Sequence, residues 1–155
     1  MPELVWIGGF ATLLGVGAVY DGLTRRLPNW LALVLLVYGL AHGFALAGWS
    51  GLGWHAAHMA IALLAGMAVF AMGIFGGGDA KFYAGMAAFF PLSQALDLLL
   101  WVSIVAIITI LVWIIGRRIP PFKRLRKDEG DFGKFPYGVA MAFGGVTAAW
   151  LLTLS

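Results

Sequence analysis

Leu27-Pro28-Asn29-Trp30-Leu31-Ala32-Leu33-Val34-Leu35-Leu36-Val37-Tyr38 opens a stretch that runs to Gly78 without one Asp, Glu, Lys or Arg. No water-soluble surface can be made from it. Over all 155 residues the chain is 62% hydrophobic and 11% charged, whereas a soluble domain carries about 25% charged residues. The reading is an all-α integral membrane protein. Its length suits one compact bundle, a single membrane-embedded domain over residues 1–155.

Working outward, a membrane helix needs about 20 apolar residues, and six candidates emerge: 4–21, 30–49, 55–75, 80–96, 97–116 and 136–154. This predicts six transmembrane helices. The loops near 22–29, 76–81 and 117–135 then share one side, and they hold all ten Lys and Arg. Basic loops stay in the cytoplasm, so both termini are expected outside. Trp49 and Trp54 suit an outer aromatic belt. The net charge of +3 is not a nucleic-acid signal, because the basic residues flank the membrane. Met1-Pro2-Glu3 lacks the positive region of a signal peptide, so residues 4–20 read as a retained span. The absence of cysteine excludes disulfides, thiol catalysis and cysteine-ligated zinc.

The fourth span is short. Phe82 to Leu96 covers roughly 22 Å at 1.5 Å per residue, less than a ~30 Å hydrocarbon core, and Pro91 lies within it. The helix is therefore expected to start inside the membrane. Gly76-Gly77-Gly78 would dip in before it, allowing a tight turn and close backbone approach, with Asp79 at its positive N-terminal end.

Asp21 closes the first span and Asp79 opens the fourth on the same side. Ionisable residues within membrane segments are costly and point to function. Either Asp alone is equally an interfacial charge or a helix cap. Together they form an aspartyl dyad: two carboxylates in one low-dielectric site share a proton, so one serves as acid and one as base. Such a pair can activate water against a peptide carbonyl with no metal, cofactor or nucleophilic side chain.

Three segments carry a family resemblance. They are Asp21 followed by Thr24-Arg25-Arg26-Leu27-Pro28-Asn29; Gly76-Gly77-Gly78-Asp79-Ala80-Lys81, which reads as GxGD; and Phe135-Pro136-Tyr137-Gly138-Val139-Ala140, where Val139 stands in place of the usual proline. In this order they resemble the type IV prepilin peptidases, membrane aspartyl proteases of the GxGD class. The resemblance implies Asp21 and Asp79 as the catalytic pair. It places Gly76, Gly78, Lys81, Arg25, Arg26, Pro28, Asn29, Pro136, Tyr137 and Gly138 in supporting roles. It also implies a prepilin or pseudopilin precursor as substrate, cut behind a basic leader at the cytoplasmic face of the bacterial inner membrane. Pilus or secretion machinery is an implied partner, along with membrane lipids. The short first loop and missing cysteines are similar to the short Tad/Cpa-type form that serves Flp-type pilins, and N-methylation is not expected.

The remaining polar residues read as structural. Arg25 and Arg26 hold headgroups, at about 1 kcal/mol each. Lys81 snorkels to phosphate rather than supporting the ionised form of Asp79. Pro28 and Asn29 make a turn and cap, Pro136 fits a first helical turn, and Asp97 caps the fifth span. His55 and His58 share a helix face with His42 elsewhere; they are read as interfacial hydrogen bonders rather than a zinc site. The loop Arg117–Lys134 anchors the membrane, and its Asp128, Glu129 and Asp131 are candidates to receive a basic leader. The competing functions are a small proton-coupled transporter using both acids as a relay, and a non-catalytic assembly subunit.

Overall fold

The structure is a computed structural model that describes residues 2–73, 76–116, 135 and 137–154. Five α-helices and one 3₁₀ turn account for nearly all of them, and no strand occurs among the described residues. They are α1 (Pro2–Thr24), α2 (Asn29–Ala71), α3 (Gly77–Ala87), the 3₁₀ turn Leu92–Gln94, α4 (Ala95–Gly116) and α5 (Tyr137–Leu154). Among the described residues three stretches are long and apolar enough to cross a membrane: Glu3–Thr24, Asn29–Ala71 and Leu92–Gly116. Large apolar side chains cover the exterior, among them Trp49, Leu64, Leu96 and Val112. Lipid tails accept such a surface and water does not, so this is a membrane protein.

The continuous helix α2 is two arms. Its helical dihedrals fail at Ala47 and Gly48, and Gly48 takes φ 58°, ψ −140°, a conformation that only a residue without Cβ adopts readily. In a straight helix His42 and His55 would stand about 20 Å apart at 1.5 Å per residue; their ring centroids are 5.9 Å apart. The chain therefore doubles back at residues 47–48. The expected break near 50–54 comes earlier because the left-handed glycine, not the next aromatic, sets the reversal.

The expected helix over 80–96 is corrected. α3 begins at Gly77 and stops at Ala87, and Pro91, extended at φ −66°, ψ 158°, leads into the 3₁₀ turn. Proline has no N–H to continue the ladder. At 1.5 Å per residue α3 is roughly 16 Å long, too short to cross a bilayer. Asp97 lies in the first turn of α4 rather than before it, where its charge suits the helix dipole.

α3 lies along both arms of α2, while α5 packs on α1 and on α4. Between apolar helices in lipid, close van der Waals contact does what water exclusion does elsewhere. Gly85 lets α3 settle onto the Ala32 carbonyl, and a Cβ at Gly39 would collide with the backbone of Ala88. Phe10, Leu14, Leu31, Leu35, Phe82, Met86 and Leu98 are fully enclosed where the two groups of helices meet.

Candidate active site

Ile7, Phe10, Leu14, Gly17 and Asp21 are buried in sequence along α1. Steps of three and four residues trace one helix face, so Asp21 occupies the last place in the stripe that packs into the bundle. It is 5% exposed.

α1 and α3 run antiparallel. Phe10 stacks on Phe89 with ring centroids 4.1 Å apart, and the ring of Phe82 fills the space a Cβ at Gly17 would need. Each step forward on α1 thus matches a step back on α3. Carrying that register on to Asp21 arrives at Gly78 and Asp79. The two acids that the sequence singled out are neighbours, each one turn beyond the Gly17–Phe82 contact, and the charge of Asp21 acts on Asp79.

Different elements hold the two carboxyls. Asp21 Oδ2 accepts the Gly138 N–H at 2.8 Å and the Val139 N–H at 3.4 Å from the first turn of α5, where free amides converge. A Cβ at Gly138 would stand 2.8–3.0 Å from the Asp21 side chain, so glycine there permits the approach. Asp79 is the third residue of α3, and its Oδ2 accepts the Gly76 N–H at 3.1 Å. This is one arm of a capping box; glycine has no side chain to supply the other. Asp79 lies outside the three apolar stretches long enough to span. Its burial raises the carboxyl from 3.8 to about 6; the Gly76 N–H opposes the rise and the Asp21 charge adds to it.

The loop between α1 and α2 joins the same cluster. Arg25 takes φ 54° as the helix ends, and its N–H donates to the Asp21 carbonyl at 2.9 Å. A Cβ at Gly78 would lie 3.3 Å from the Leu27 carbonyl. Lys81 Nζ donates to Asn29 Oδ1 at 3.1 Å. Two expectations are corrected here. Asn29 does not cap: it is the first residue of α2, behind an extended Pro28 with no side-chain cap bond. Lys81 reaches across to Asn29 instead of out to phosphate, because packing brings the loop within reach. The glycines before Asp79 differ from the expectation in the turn alone. Gly76 has φ −73° and the left-handed turn falls at Gly73 (φ 74°), while Gly76 and Gly78 serve close approach as expected.

Tyr137 opens α5, its ring 5.1 Å from that of Phe135. Arg26 is exposed. Pro136 lies outside the described residues, as do the anchoring loop from Arg117 to Lys134 and its acids Asp128, Glu129 and Asp131.

The histidines are brought together at the opposite end. His42 is not apart, since the α2 reversal sets it beside His55. All three are buried and bond main-chain carbonyls after α3, which fits the hydrogen-bonding expectation, except that the partners are interior. No group of three or more metal-ligating side chains capable of holding an ion occurs among the described residues. A cavity of about 200 Å³ lies at this end, lined in part by Glu3, His42, Phe90 and Gln94, away from both aspartates. Sequence reasoning missed Gly17 and Phe82; the spacing of Gly17 from Asp21, one turn apart on a stripe, was the available signal.

The type IV leader peptidase family model matches residues 9–112, two-thirds of the chain. The chain belongs to the type IV leader peptidase family. No curated protein and no solved structure matches it. In this leader peptidase the match takes in Asp21, Asp79 and the loop through Asn29. Gly138, which donates to Asp21, lies beyond it, so its place in the site is read from the hydrogen bond.

Proposed function

We propose that this leader peptidase is an aspartyl endopeptidase that removes the basic leader of prepilin-type precursors, with Asp21 and Asp79 as its catalytic pair. The observation that carries the reading is the antiparallel register of α1 and α3, which makes neighbours of two acids far apart in sequence. Asp21 is enclosed with two amide donors, and half-buried Asp79 has one.

The chemistry follows from their settings. Asp21, ionised and accepting two amide N–H groups, takes a proton from a water molecule lodged between the carboxyls. The water oxygen attacks the scissile carbonyl carbon. Asp79, protonated, donates to the carbonyl oxygen as it becomes tetrahedral. Collapse breaks the C–N bond: a hydroxyl proton of the tetrahedral carbon returns to Asp79 as the new carboxyl forms, and the proton held by Asp21 passes to the leaving amine. No metal or cofactor is required.

The substrate is a precursor whose basic leader stays in the cytoplasm and whose cleavage site precedes an apolar helix, in the short form an Flp-type pilin. The site faces the cytoplasm from the bacterial inner membrane, in a bundle of six membrane segments with both termini outside; the fourth segment, α3, is as a helix shorter than the bilayer core. N-methylation is not part of the activity.

The test uses membranes containing the protein and an Flp-type prepilin. Asp21→Asn and Asp79→Asn each abolish conversion to mature pilin while the protein still inserts. Conversion that survives either replacement removes the dyad, and harmlessness of both favours an assembly role.

A further inference from the structure

α3 carries Asp79 at one end and is held by three histidines at the other. A helix leaves its last carbonyls without intrahelical partners, and in an apolar interior no water meets them. The Ala88, Phe89 and Phe90 residues just past α3 are 0%, 4% and 3% exposed. His55 Nδ1 lies 2.9 Å from the Ala88 carbonyl, His42 Nδ1 3.2 Å from that of Phe89, and His58 Nδ1 3.0 Å from that of Phe90. A carbonyl only accepts, so each ring donates from Nδ1.

The three rings come from both arms of α2, His42 from the first and His55 and His58 from the second. His42 also stacks on Phe89 with centroids 4.2 Å apart. Its Nε2 lies 3.5 Å from Glu3 Oε2 at the start of α1, the helix that carries Asp21. Gly39 and Gly66 on α2 and Gly85 on α3 bring the two elements into close contact along the length of α3.

We propose that His42, His55 and His58 are positioning residues: by binding the carbonyls that follow α3 they set its place along the α2 hairpin and keep Asp79 level with Asp21. The inference rests on the aspartyl peptidase reading. A slip of one residue moves Asp79 by about 1.5 Å, and an error of about 1 Å in a reacting group can cost on the order of 100-fold in rate.

The experiment compares the full chain in membranes with its double variants His55→Phe/His58→Phe and His55→Asn/His58→Asn. Phenylalanine keeps a ring without the donor; the asparagine amide restores an N–H near Nδ1. The phenylalanine pair lowers kcat on a prepilin by on the order of 100-fold with little change in KM, and the asparagine pair regains most of it. Because the chain has no cysteine, a single introduced thiol reports on one place. Ala80→Cys lies beside Asp79 and Ala148→Cys lies in α5, both at fully buried positions. In the phenylalanine background, methanethiosulfonate labelling speeds up at residue 80 and not at 148. Unchanged kcat, failure of asparagine to rescue, or faster labelling at both positions overturns the proposal, the last because it reports general loosening. If the unaltered chain cuts no prepilin, the peptidase reading fails, and labelling alone then decides whether the cap holds α3.

Discussion

Asp21 and Asp79 are one functional group in two settings. Asp21 is enclosed and receives two amide donors from α5; Asp79 is half-buried and receives one from Gly76. Asp79 is raised to about 6, first by burial and in part by the charge of Asp21. The productive pair, Asp21 ionised and Asp79 protonated, is therefore lost as pH rises through about 6, about tenfold per unit, and lost again on the acid side as Asp21 takes up its own proton. The limb belongs to the pair rather than to one residue, and a pH profile of kcat/KM in the free enzyme is expected to show it as a decline above about pH 6. Gly138 supplies the second prediction at this scale. A methyl at that position would push on the Asp21 side chain, so Gly138→Ala is expected to reduce processing on the order of 10- to 100-fold while the chain inserts normally. Comparing cleavage rates at equal membrane content checks it.

Among the elements, α1, α4 and α5 form within a few residues of where hydropathy put them, because uniformly apolar stretches of that length have one economical backbone structure in lipid. α2 and α3 are less legible. Nothing in periodicity distinguishes Gly48 from the helical glycines around it, yet it alone in α2 takes positive φ. Gly48→Ala is expected to destabilise the protein by about 1–3 kcal/mol. Gly53→Ala, at a helical position with nothing within 4 Å of the added carbon, is expected to be neutral or slightly stabilising. Thermal unfolding of both variants in the same detergent separates them. α3 stops ahead of Pro91, which cannot extend the ladder, and three histidines from α2 take the carbonyls left over. Nothing near Pro91 in the sequence announces those histidines.

In the whole molecule each acid belongs to a different packing group. Asp21 rides on α1 with α5 and α4; Asp79 rides on α3 with the α2 hairpin. The two groups meet through Phe10 on Phe89, Phe82 against Gly17 and Met86 against Gly145. Bulk at that seam should part the acids without unfolding either group. Gly17→Leu is expected to cut processing by on the order of 100-fold or more with helical circular dichroism retained. A loss of helicity in parallel with activity would show instead that the seam holds the fold itself. Composition and the order of uncharged stretches determined by themselves that this chain lives in lipid as helices, and three short motifs marked Asp21, Asp79 and Gly138, because lipid leaves few ways to satisfy a backbone and few reasons to keep an acid. Only the tertiary structure decided that Asp21 comes near Asp79, that Lys81 binds Asn29 and that the histidines gather behind α3. Those pairings depend on antiparallel register and on a reversal at one glycine, and neither leaves a periodic trace in the chain.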